Sequence, residues 1–230
     1  MRIAALLLAA LPALLALRSA GHGREAGTAL RESRPAGVPG APPSLILCVR
    51  GDDPSFVGSK SCQKCHYKEY TSWAKTAMAK AFDILKAGAK ADEKKKVNLD
   101  PDKDYTKDAK CVACHTTGYG KPGGYPAITD KEWTAAEKER APLFEGVGCE
   151  SCHGPGEKSS PYKKDNKDYK WADIAKLGAV HADEKTCQAC HSKESPTFKE
   201  FKFEEKVGKD THEVVKMKVD HACDHKHGGK

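Results

Sequence analysis

Eight of the ten cysteines in the chain fall into one five-residue pattern. Cys62-Gln63-Lys64-Cys65-His66 is the first copy and Cys111-Val112-Ala113-Cys114-His115 the second. Cys149-Glu150-Ser151-Cys152-His153 is the third and Cys187-Gln188-Ala189-Cys190-His191 the fourth. Thiols three residues apart lie about one helical turn apart. They can then add to the two vinyl groups on one porphyrin edge, and the following His projects its imidazole to the iron as proximal ligand. Cys-x-x-Cys-His is the attachment pattern of c-type haem, and a shuffled chain of this composition would hold about 0.02 copies. Redox dithiols need no His after every pair. Structural zinc takes Cys pairs two by two and does not lock a His to the second Cys. The reading is therefore four covalently bound c-type haems. Cys62, Cys65, Cys111, Cys114, Cys149, Cys152, Cys187 and Cys190 are the thioether donors, and His66, His115, His153 and His191 the proximal ligands.

The sixth position on each iron decides what such a site does. Two His ligands give a low-potential electron-transfer haem, a Met ligand raises the potential, and a vacant position binds small ligands. Beyond the proximal set and His22 near the N-terminus, the chain offers His181, His212, His221, His225 and His227. The stretch His221-Ala222-Cys223-Asp224-His225-Lys226-His227 reads as a loose terminal metal binder, or as a ligand donor to a neighbouring subunit.

The rest of the chain must position these groups with little apolar material. Of 230 residues, 31% are charged and 39% hydrophobic, and mean hydropathy is −0.65. Part of the apolar fraction sits in Ile3 to Leu17, a run suited to a secretory signal and short for a membrane span. No Ala-x-Ala cleavage site is visible, and no second run approaches a span. Residues 1–23 are expected to be a signal peptide and 24–56 a Pro/Gly-rich linker. Residues 57–220 are expected to form the haem domain and 221–230 a His-rich tail. Cys48 reads as a stray thiol. Successive motifs begin 49, 38 and 38 residues apart, with dissimilar sequence between them. They are therefore four sites on one fold and not a solenoid. At a little over 40 residues per haem, the porphyrins must replace the missing aliphatic core.

The formal charge is +7, and loss of residues 1–23 removes Arg2 and Arg18 to leave +5. Haem propionates bring this to about +1 oxidised and about −3 reduced. The many Lys therefore form a solvated face, and nucleic-acid binding is not indicated. Ser61 can cap a helix running through His66 toward Lys86, burying Tyr70, Trp73, Ala77, Ile84 and Leu85. Residues 88–110 read as loop and Gly118 to Pro126 as a turn. Thr129 or Asp130 can start a helix ending at Arg140. Gly154-Pro155-Gly156 stops the third haem segment. Tyr169 to Leu177 reads as a helix ended by Gly178. Asp183 can cap the fourth haem helix, and 198–219 is helical in part. The fold class is mainly α: a small multihaem cytochrome c fold with short helices and long loops around four stacked haems.

Several stretches resemble the tetrahaem cytochrome c-554 family. They are Lys60 to His66, Ser72-Trp73-Ala74-Lys75-Thr76-Ala77-Met78-Ala79-Lys80-Ala81, Leu99-Asp100-Pro101, Asp104-Tyr105-Thr106, Cys111 to His115 with Gly123-Gly124-Tyr125, and Gly146 to Gly156. The similarity covers about residues 57–215 and is most specific from 60 to 156. It implies a secreted, helical carrier that passes electrons between a donor and an acceptor redox protein, and whose second-motif haem, here that of His115, is five-coordinate. Two departures stand out. The family has His where this chain has Met78; on a continuous helix Met78 would lie about 18 Å beyond His66, so it would serve another haem or pack on a porphyrin face. The family also has a distal His after Gly-Pro-Gly, whereas none lies between His153 and His181. His181 matches a family ligand position in kind, one residue displaced. His212 follows Phe201-Lys202-Phe203 as a His follows the similar family segment. The expectation is a periplasmic or otherwise extracytoplasmic electron carrier and not an enzyme, with no membrane span after signal removal. The alternatives are redox chemistry on a nitrogen oxide at an open haem, or a subunit of an extracellular conducting assembly.

Overall fold

The computed structural model describes residues 52–215, all within the unit Leu47–Lys230. Cys48, Cys223, His22 and the His-rich tail lie outside the described residues. Ten short α-helices follow in order: α1 Ser59–Cys62, α2 Tyr67–Trp73, α3 Ala91–Lys96, α4 Ala109–His115, α5 Ala135–Arg140, α6 Cys149–His153, α7 Gly156–Asp165, α8 Trp171–Ala175, α9 Glu184–Gln188 and α10 Phe203–Lys206. Two 3-10 turns, Asp83–Leu85 and Ala141–Phe144, join them. Pairing among the described residues is limited to one isolated bridge, Thr116 with Glu145. The mainly α class with short helices and long loops is thus observed. No described helix is long and apolar enough to cross a membrane.

The first haem helix differs from expectation. A continuous helix from Ser61 to Lys86 is predicted; the chain instead breaks at His66, whose φ of −117° and ψ of 51° leave the helical region. Ser61 lies inside α1 and its hydroxyl donates to the Val57 carbonyl at 2.9 Å, so it is not the cap. After Trp73 the Thr76 hydroxyl takes the Trp73 carbonyl at 2.7 Å. Such side-chain competition for backbone groups favours turns over helix continuation. Residues 74–82 are turns, so Met78 does not stand 12 residues out along a rod, and Ala77 is exposed rather than buried.

Local chemistry accounts for other boundaries. α5 starts at Thr134, not at Thr129 or Asp130, because Thr134 and Glu137 form a capping box. Asp183 caps α9 as expected, accepting from the Thr186 N–H at 2.8 Å. α3 occupies part of the stretch expected to be loop; Lys94 turns inward and donates to the Lys86 carbonyl at 2.6 Å. Gly154-Pro155-Gly156 ends α6 but also opens α7. Gly154 needs its φ of 76°, and a Cβ there would run into the Gly178 carbonyl.

The apolar core is small and one-sided. Phe82, Leu85, Tyr105, Val112, Tyr125, Ala141 and Phe144 form one buried cluster, flanked by Phe56, Leu99, Tyr119, Ile128 and Trp133. Beyond Phe144 the buried hydrophobic residues among those described are Ile174 and Ala179.

Candidate haem sites

Each five-residue motif occupies one turn of helix or its equivalent. The second lies wholly in α4 and the third is α6 itself. The first straddles the end of α1, and the fourth runs off the end of α9. In both of these the His N–H still donates to the carbonyl of the first Cys, at 2.9 Å for His66 to Cys62 and 2.9 Å for His191 to Cys187. Residues three and four apart on such a turn share a face, so two thiols and one imidazole project together four times. All eight motif thiols are free of disulfides. Among the described residues no three His, Cys, Asp or Glu converge as a bare ion would need. This donor set fits covalent haem and not zinc.

The sites are joined in space in an order that differs from the chain. The Cys149 N–H donates to the Ser59 hydroxyl at 3.1 Å, which sets the third motif against the first; the neighbouring Cys62 and Cys149 thiols influence one another, so that Cys62 is held far above the usual thiol range and Cys149 is pushed down to about 6. The same relation links the fourth motif to the second: Cys190 is raised, and Cys114 is pushed down to about 7. Burial raises Cys152 to about 11, with the Cys187 charge adding to the effect. The spatial succession is therefore first, third, fourth, second.

The imidazoles are placed with their tautomers partly fixed. His115 Nδ1 lies 2.6 Å from the Ala81 carbonyl, so the ring donates there and leaves Nε2 for a metal. His212 Nδ1 is likewise 2.9 Å from the Glu213 carbonyl. His153 is exposed over part of its surface, but the protein atoms crowded about its ring and the nearby His212 charge together lower its pKa to about 4. The rings of His153 and His212 stand 6.1 Å apart, centre to centre. Two imidazoles ligating one ion from opposite sides at about 2 Å each hold their centres about 6 Å apart, so this pair fits axial ligation of one iron. The Glu213 N–H donates to the Ser72 hydroxyl at 2.8 Å, which ties the His212 segment to α2.

The other predicted positions are less convergent. His191 stacks on Phe201 at 4.6 Å, and burial lowers its pKa. His66 is largely exposed, with Nδ1 3.8 Å from Glu69. His181 stacks face to face on Trp171 at 3.5 Å. Met78 is half-buried, and its carbonyl accepts from the Val147 N–H at 2.9 Å. The Met78–Ala81 turn therefore bridges the second motif, through His115, and the lead into the third.

Two residues of consequence escaped the sequence reading. Glu150, between the cysteines of the third motif, is buried. Its carboxylate accepts from the N–H groups of Val57 at 3.0 Å, Gly58 at 2.7 Å and Gly156 at 2.7 Å. It thereby clamps the approach to α1 and the start of α7 onto α6. An acid flanked by Gly-Val-Gly and Gly-Pro-Gly, two loops of spare N–H donors, was the available signal. Lys163 on α7 is half-buried, and burial lowers its pKa. Nothing in its Lys-rich neighbourhood marks it.

Residues 61–154 match the family model described as cytochrome c554 and c-prime. Cytochrome c-554 of Nitrosomonas europaea is 41% identical over 147 residues, covering 60% of this chain and 58% of that protein. The chain thus aligns with less than two thirds of that curated relative. The solved structure of reduced cytochrome c554 from Nitrosomonas europaea superposes with a TM-score of 0.55 at 37% identity, covering 70% of this chain and 85% of that one.

Proposed function

Because the chain belongs to the cytochrome c554 family, we propose that it is an exported tetrahaem c-type cytochrome that carries electrons between two redox proteins outside the cytoplasm. The observation that carries this reading is the set of four Cys-x-x-Cys-His turns, with the third held against the first through the Cys149 N–H, which donates to the Ser59 hydroxyl of α1 at 3.1 Å. Each bound haem supplies a one-electron ferric/ferrous couple. Groups held at such contact pass electrons without large movements of the chain.

The chain's own residues set the terms of that transfer. The eight motif cysteines anchor the porphyrins, and His66, His115, His153 and His191 take the proximal positions. His212 is the distal ligand opposite His153, supported by their ring separation and by the bond that leaves its Nε2 free. The Ala81 carbonyl holds the His115 ring in one tautomer, which increases the basicity of the ligating nitrogen and favours the ferric state. Met78 and His181 are the remaining candidate distal ligands. The iron of His115 is read as the open one. The low apolar content fits the same picture, since buried porphyrins lower the dielectric around each iron and tune its potential.

Reductive titration of the mature protein tests this reading. Uptake of four electrons per chain, with oxidation by a second redox protein faster than by dissolved oxygen, is the expected result. Uptake of fewer than four, or chemical turnover of a small substrate without an accepting protein, would contradict it.

A further inference from the structure

Two buried hydroxyls outside the haem motifs converge on the start of the third one. They belong to Thr117, just after the second motif, and Ser59, just ahead of the first. The Thr117 hydroxyl donates to the Gly146 carbonyl at 2.8 Å and accepts from the Gly148 N–H at 2.8 Å. It also accepts from the Ser151 hydroxyl, between the cysteines of the third motif, at 3.4 Å. A hydroxyl has one donor and two acceptor sites, so all of its capacity is spent here. The next N–H, that of Cys149, goes to the Ser59 hydroxyl at 3.1 Å. A Cβ on Gly148 would strike both hydroxyls, which places this glycine between them. Backbone bonds brace the Thr117 side: its N–H donates to the Phe144 carbonyl at 2.9 Å, and the Gly146 N–H to the His115 carbonyl at 3.0 Å. The first N–H groups of a helix need partners, and a side chain at the cap usually supplies one. Gly148, the cap of α6, has none to offer. The partners come instead from 31 and 90 positions away, so they fix where α6 stands against α4 and α1 as well as starting it.

We infer that Thr117 and Ser59 are positioning residues for electron transfer: their hydroxyls set the place of the third haem relative to the second and the first. The inference rests on the tetrahaem reading above. Cys149, an anchor of the third haem, itself donates to Ser59 and directly follows the glycine that donates to Thr117. The haem so anchored moves with α6. Each transfer passes one electron from a ferrous to a ferric haem, with no bond made or broken. Its rate falls steeply with the separation of the two groups, so a small displacement of α6 slows it. Thr117→Val keeps the side-chain shape but puts a methyl group in place of the hydroxyl. The Gly148 N–H is then buried without its acceptor, a costly state that α6 must shift to relieve.

The test uses the mature protein from a host that attaches c-type haem. Intact mass first counts the haems; wild-type protein with fewer than four overturns both readings. With four present, a photoexcited flavin delivers one electron in a flash, and its redistribution among the haems is followed by absorbance. Redistribution in Thr117→Val should be at least about tenfold slower than in the wild type. Crystals of the same holoprotein should show a changed separation between the second-motif and third-motif irons. Thr117→Ser, which keeps the hydroxyl, should restore both values. If either the rate or the separation stays at its wild-type value in Thr117→Val, the inference is overturned and the electron carrier still stands. A lower melting temperature alone marks a structural role only and overturns it equally. Should Thr117→Val fail to mature, Ser59→Ala decides the matter. Slower redistribution with a changed separation between the first-motif and third-motif irons is expected there, and the persistence of either wild-type value overturns the assignment.

Discussion

The stretch from Phe82 to Phe144, which carries the second haem motif, and the stretch from Cys149 to Val215, which carries the third and fourth, differ sharply in what holds the chain together. In the former, Phe82, Tyr125, Phe144 and Val112 are buried against one another. Tyr125 packs 5.7 Å from Phe82 and edge-on to Trp133 at 5.4 Å. In the latter, Ile174 and Ala179 are the buried hydrophobic residues among those described, while Phe198, Val207 and Val214 are exposed. The first region holds its shape by polypeptide contacts. The second has polar clamps and caps but too little apolar burial to offset the entropy of ordering its backbone. It therefore depends more heavily on the haems.

The largest expected effect comes from removing a haem on the weaker side. In Cys187→Ala/Cys190→Ala, limited proteolysis should cut within 180–215 at least about tenfold faster, because that region loses its main apolar partner, while 82–144 stays protected. Equal protection of both regions would erase the contrast. Next is Phe144→Ala, which should cost about 3–5 kcal/mol in denaturant unfolding, since Phe144 is 3% exposed and central to the cluster. A smaller loss, about 1.5–3 kcal/mol, is expected for Glu150→Gln, which weakens charge-assisted bonds to Val57, Gly58 and Gly156. Its effect should appear as faster amide exchange at residues 55–58 and 156–160, and loss confined to 82–144 would count against the clamp. Thr134→Ala should cost about 1 kcal/mol by removing the capping box of α5, readable as a small shift in melting temperature.

Much of this was legible in residues whose roles are local. The four Cys-x-x-Cys-His turns, the Asp183 cap and the helical class follow from spacing and side-chain chemistry within a few positions. What the sequence concealed depends on distant partners. The break after Trp73 follows from hydroxyls of Thr76 and its neighbours taking carbonyls that a longer helix would need, and periodicity alone does not reveal that choice. Glu150 reads as an ordinary surface acid until residues 57 and 156 are seen to converge on it. The first–third and fourth–second adjacency joins motifs separated by 87 and 76 positions in the chain, so no linear pattern could state it. His212 became specific only when its ring stood 6.1 Å from His153.

Intact mass spectrometry of the mature chain, paired with thiol alkylation, bears most directly on the haem-filled core. The account predicts the mass of the polypeptide plus four haems, with the eight motif cysteines closed to alkylation. A colourless chain at its bare polypeptide mass, with those thiols open to reagent, would contradict it.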